Sequence, residues 1–149
     1  MTVSTPTNRG HRLRGLAGVG LAATLAAVVA TTLVAAFAEA VGVDFAVPDG
    51  GEVIPLAGFA VVTGVFSLVG VVLAVALGRF SARPAERFLW TAVALTAISL
   101  VPPLLCGAAA ATVAALVVLH LVAAAVVVPA LTWRLGRRDR PHEGRRTLD

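Results

Sequence analysis

The sequence predicts an all-α integral membrane protein, an antiparallel bundle of four transmembrane helices, and three observations carry that prediction. Hydrophobic residues make up 58% of the chain and charged residues 13%, with a mean hydropathy of +0.93, so lipid is the solvent for most of the polypeptide. The charges stand at the ends of long apolar runs, not inside them. All 12 basic residues are arginines, and each falls beside the same end of a run.

The first two spans follow from the charge-free stretches 15–38 and 53–78, each longer than the roughly 20 residues a helix needs to cross the hydrocarbon core. Residues 88–133 contain no Arg, Lys, Asp or Glu. At 1.5 Å per residue that run is about twice one crossing, so it must fold back on itself. The expected reversal is VPPLLCGAAA, where Pro102 and Pro103 remove two backbone donors and Gly107 tolerates a turn. Expected spans are therefore 16–40, 54–77, 87–101 and 110–134, between an N-terminal tail, 1–15, and a basic tail, 135–149. That C-terminal tail, with Gly, Pro and little to bury, reads as disordered chain near anionic headgroups. A closed barrel needs short alternating segments instead of these continuous runs.

The arginines also predict orientation. Arg9, Arg12 and Arg14 precede the first span, Arg79, Arg83 and Arg87 join the second to the third, and the rest follow the fourth. Positive residues beside spans stay in the cytoplasm, which places both termini there in a multi-pass protein of the cell (inner) membrane. Trp90 and Trp133 fall at the same boundary, where indoles anchor. Ala36-Phe37-Ala38 before Glu39 is an A-x-A pattern of the kind that ends a signal peptide, but the preceding apolar run is too long for one. The first span is expected to be retained.

Little in the sequence points to catalysis. A lone Cys106 excludes an internal disulfide and a CxxC pair. No nucleophile–base pair or metal-ligand cluster is visible, and no cofactor or metal is predicted. The pI near 11.3 is explained by membrane orientation, and no nucleic-acid partner is expected. His120 is the one strongly polar ionisable side chain deep in a span, which makes it a functional candidate. Counted from the helix ends it lies about 14 Å deep, near the level of Thr31, Thr32, Thr63, Thr96 and Ser99. This predicts a polar layer at mid-membrane, with Ser99 beside His120 across the hairpin. Its imidazole could bond a carbonyl of Ile98 or Ser99 left free by the prolines, or act as a proton- or ligand-responsive group. Haem ligation would need a dimer, because His11 and His142 lie in the tails.

Small residues at helical spacing, Ala22-Ala26-Ala30, Ala60-Gly64 and Ser67-Gly70, predict close helix packing without a wide pore. Between the first two spans, Val43, Phe45 and Val47 alternate with Asp44 and Ala46 before Pro-Asp-Gly-Gly, a pattern for a short β-hairpin over the outer face. Its acidic residues, Glu39, Asp44, Asp49 and Glu52, lack EF-hand spacing and read as a solvated, arginine-free outer surface. Glu39 is the acid best placed to reach the bundle.

The stretches AVGVDFAVP, residues 40–48, and LHLVAAAVVVPAL, residues 119–131, resemble a family of small four-helix integral membrane proteins of GC-rich bacteria, classed as a domain of unknown function. The resemblance covers roughly residues 16–135. It implies the architecture and supplies no catalytic residue. The expected role is a non-enzymatic accessory or envelope component that binds lipid, a membrane-protein partner or a second copy of the chain. The alternatives are a small proton-coupled transporter or a cofactor-binding protein, either using His120.

Overall fold

A computed structural model of the chain describes residues 6–46 and 53–137. The helices are α1 (Pro6–Ala40), α2 (Leu56–Phe80), α3 (Pro84–Ser99), the single turn α4 (Val101–Leu105) and α5 (Ala110–Gly136). Four stretches are long and apolar enough to cross a membrane: Leu13–Ala40, Leu56–Phe80, Pro84–Leu105 and Ala110–Gly136. The protein is thus an all-helical, four-span membrane protein, with no strand among the described residues. α1 begins before the apolar region, so arginines 9, 12 and 14 ride on a helical extension of the first span. Proline at the first helical position, as at Pro84, has a suitable φ and no N–H to waste.

The outer surface explains why the solvent must be lipid. Leu25 is 68% exposed, Phe37 69% and Phe66 69%, along faces far larger than water tolerates on a monomer. α1 packs against α2 and α5, and α3 against α5 and α2. α2 and α5 meet across one diagonal, whereas α1 and α3 make no contact across the other. Beyond Leu16 the buried side of α1 is small: Gly20, Ala23, Thr24, Ala27, Thr31, Ala35 and Ala38. A Cβ on Gly20 would sit 2.6 Å from Val71 Cγ2, so the helices meet there almost backbone to side chain. The expected Ala22-Ala26-Ala30 ridge is on the wrong face, since Ala22 and Ala26 are exposed. In α2, Gly64 and Gly70 do look inward, toward Val28 and Val127.

Two reversals differ from a simple hairpin. The chain does not turn at Pro102 and Pro103. α3 ends at Ser99, and the prolines enter the first turn of α4, where missing N–H groups cost least. Residues 106–109 then make the reversal, with Gly107 at φ +68°. The end of α1 is a Schellman cap: Gly42, at φ +90°, donates to the Glu39 carbonyl (3.0 Å), and Val43 donates to that of Ala38 (2.9 Å). The sequence VGV after Ala40 is what allows it.

Beyond this cap the chain pairs briefly with itself. Ala46 and Val53 form an antiparallel bridge, and Ile54 N–H donates to Phe45 O at 3.2 Å. The base of the expected hairpin is present; its tip, with Asp49 and Glu52, lies outside the described residues. Phe45 turns inward, 1% exposed, and meets the edge of Phe59 at 4.8 Å.

Candidate functional site

The mid-span polar residues come together in part. The Thr31 and Thr63 hydroxyls lie 3.2 Å apart, bonding α1 to α2, and Thr31 also donates to the Ala27 carbonyl at 2.8 Å. Thr32 keeps a buried hydroxyl with no partner among the described residues. On α3, Thr96 and Ser99 are half-buried, and Ser99 donates to the Thr96 carbonyl at 2.8 Å. Back-bonding of this kind satisfies a hydroxyl donor within its own helix, where lipid offers nothing else.

His120 behaves the same way. Its Nδ1 lies 2.7 Å from the Leu116 carbonyl, one turn back on α5. A carbonyl only accepts, so in this contact Nδ1 is the donor. Among the described residues, Ser99 and His120 therefore bond within their own helices, not to each other. His120 shares the face of Leu116, Val127 and Leu131, four, seven and eleven residues away at helical spacing. Val127 and Leu131 are buried, yet His120 is only half-buried.

The reason lies in how the core divides. One apolar cluster, near the arginine-bearing end, joins Leu16 and Ala27, Val71 and Ala74, Phe88, and Val127, Leu131 and Leu135, so all four spans contribute. The other, at the loop end, joins Ala35, Ala38, Phe45 and Leu119, with Ile54 and Phe59 against them. No residue of α3 or α4 belongs to this cluster, although Pro103 of α4 is buried. His120, on the first half of α5, faces a core to which the third span adds little side-chain bulk.

The loop residues are held by structural bonds. Asp44 Oδ1 accepts from Ala46 N–H at 2.9 Å, and its carbonyl accepts from Thr112 Oγ1, tying the loop to the first turn of α5. Glu39 is exposed and does not reach inward; Ala38 occupies the buried position beside it. No group of three potential metal ligands occurs among the described residues. Thr24, Thr112 and Thr132 are further inward-lying hydroxyls that span counting missed. The first two donate to carbonyls of Gly20 and Asp44, while Thr132 has no partner. Their signal was available: a hydroxyl in an Ala/Val/Leu run marks a protein-facing side more surely than alanine does.

No curated protein matches the chain, and no solved structure does. A family model does, over residues 11–137, which spans all four membrane helices and both AVGVDFAVP and LHLVAAAVVVPAL. The first of these stretches builds the Schellman cap, the Asp44 tie and the Phe45 plug; the second carries His120 and the core residues Val127 and Leu131. With that match over most of its length, the chain belongs to the family of unknown function DUF6069.

Proposed function

We propose that the protein is a non-enzymatic accessory component of the bacterial cell membrane, which acts by holding another membrane component, a partner span or lipid, against its bundle. The observation that carries this reading is the loop-end core without α3, which leaves inward-facing His120 half-buried. An incomplete packing surface at membrane depth, lined by small and hydroxyl residues, suits close approach of another apolar chain. Nothing in the described geometry joins a nucleophile to a base.

The proposed orientation has both termini in the cytoplasm. Arg14, Arg79, Arg83, Arg87, Arg134 and Arg137 stand at one end of the spans, and Glu39 and Asp44 at the other, which is the asymmetry that retention of positive charge requires. A C-terminal fluorescent-protein fusion should fluoresce, and a C-terminal alkaline-phosphatase fusion should be inactive; the reverse result would invert the topology.

A photo-crosslinking amino acid at Thr96 or Ser99, compared with one at exposed Val93, tests the binding role in native membranes. A discrete adduct from the first two positions and diffuse labelling from the third is expected. Equal diffuse labelling from all three would remove the reading. The competing carrier reading draws on the half-buried imidazole of His120 at membrane depth. It requires pH-dependent flux in proteoliposomes that His120→Ala abolishes, whereas the accessory role predicts that His120→Phe leaves folding and crosslinking intact.

A further inference from the structure

At the arginine end, between the close of α2 and the first two turns of α3, lies a cleft of about 520 Å³ lined by Leu77, Arg83, Glu86, Arg87, Trp90 and Thr91. Positions 83, 87, 90 and 91 share one helix stripe, so their side chains open into the same space. The volume lies within the range of small-molecule sites. Its walls are graded: Leu77 is half-buried in the apolar part, while Trp90, 69% exposed, and the arginines stand at the boundary.

Among the described residues, the charge around the cleft is not balanced. Arg83 Nη1 lies 3.5 Å from Glu86 Oε2, the one ion pair among the described residues. Two other arginines lie over aromatic rings, Arg79 at Phe80 and Arg137 at Trp133. Arg87 has neither a carboxylate nor a ring among the described residues, and it lines the cleft. The Thr91 hydroxyl donates to the Arg87 carbonyl at 2.8 Å and is free to accept from a ligand. A free guanidinium, a second one loosely held, an indole N–H and an apolar wall form the complement of a phosphodiester joined to an acyl chain.

We propose that this cleft binds the headgroup of an anionic phospholipid, with the phosphodiester against Arg87 and Arg83, Trp90 at the interface and an acyl chain along Leu77. Glu86 then acts as a weak competitor: it occupies Arg83 when the site is empty and yields it when phosphate arrives. Inorganic phosphate offers the same anion without the chain. Leu77 and Trp90 favour the lipid, because they add apolar contact only a lipid can use. The inference deepens the accessory reading and rests on it in one respect, that the chain works by binding membrane components.

The test is native mass spectrometry of the full chain released from detergent micelles containing phosphatidylglycerol or phosphatidylcholine, with inorganic phosphate as competitor. Phosphatidylglycerol should be retained in preference to phosphatidylcholine and resist millimolar phosphate. Arg87→Gln should weaken retention about five-fold, the scale of one arginine at a lipid surface, and Arg79→Gln, the same charge change outside the cleft, less than about two-fold. Glu86→Gln should strengthen retention, an opposite sign that loss of folding cannot mimic. Equal losses from Arg87→Gln and Arg79→Gln would reduce the cleft to diffuse attraction and overturn the proposal, as would equal retention of the two lipids. Displacement by phosphate would overturn the lipid assignment. Should phosphatidylglycerol be retained while crosslinking from Thr96 and Ser99 stays diffuse, the partner-face reading fails and this site stands.

Discussion

At the arginine end the core draws on every span, with Leu16 from α1, Val71 from α2, Phe88 from α3 and Leu131 from α5; at the loop end the apolar cluster draws on α1, α2, α5 and a loop residue, Phe45, and the third span adds the buried Pro103 of α4. The contrast follows from the inward stripe of α3, which runs from Pro84 and Phe88, both buried, to Ala92, Thr96 and Ser99, which are half-buried. In lipid no hydrophobic force presses helices together, so small residues hold a neighbour only where backbones meet closely or hydroxyls bond across. Ser99 bonds its own helix. The third span is therefore held by Pro84 and Phe88 at one end and by Pro103 of α4 at the other, and the loop supplies from the other side the bulk that α3 does not.

The comparison breaks or holds on two phenylalanines, each 1% exposed. Phe88→Ala should cost about 2 kcal/mol, mostly the cavity term, because a span that unfolds within a micelle keeps its side chain in an apolar medium. Phe45→Ala should cost more, about 3–5 kcal/mol, because the loop unfolds into water and the transfer term is lost as well. Unfolding by denaturant in a fixed detergent measures both. Hydrogen exchange then locates them: Phe88→Ala should speed exchange along α3, and Phe45→Ala along residues 43–46 and the first turn of α5. Equal acceleration of α3 by both would mean that the two ends form one cooperative core.

Gly20 sharpens the arginine end. Gly20→Ala places a methyl carbon 2.6 Å from Val71 Cγ2, and overpacking of this kind should cost about 1–3 kcal/mol. Because the obstacle is a side chain, the double variant with Val71→Ala should recover part of the loss in the same unfolding assay. No recovery would show that the strain lies in the α1 backbone.

The residues explain what a reader of the sequence could see. The four spans were legible because length and charge placement are imposed by the bilayer and not by neighbours. The loop was legible at its base, where Val43 and Phe45 alternate with Asp44, and the Ala46–Val53 bridge follows that alternation. The packing face of α1 was not. Alanine recurs every few residues on all sides, so Ala22-Ala26-Ala30 looked like a ridge while Gly20, Ala27 and Thr31 formed it. The reversal falls within VPPLLCGAAA, at Gly107, but the part the prolines play in it was not legible: proline breaks a helix in its interior but starts one at its first turn, and spacing alone does not say which. Within the candidate layer, Thr31 and Thr63 meet. For Ser99 and His120, the choice between a neighbour's carbonyl and the helix's own was not readable.

The smallest expected effect tests the seam between the two cores. Thr31 sits one turn from Ala27 in the first cluster and one turn from Ala35 in the second, and its hydroxyl meets that of Thr63 at 3.2 Å. Thr31→Val removes this bond together with the one to the Ala27 carbonyl, while Thr63→Val removes only the bond between helices. Comparing the single variants with the double one isolates the shared bond, which at membrane depth should couple the sites by about 0.6 kcal/mol. A larger coupling would make the hydroxyl pair a pin that holds α1 to α2 where the third span contributes least to the core. A coupling near zero would leave that joint to small-residue packing alone, and the loop end would then depend on Phe45 even more than its burial suggests.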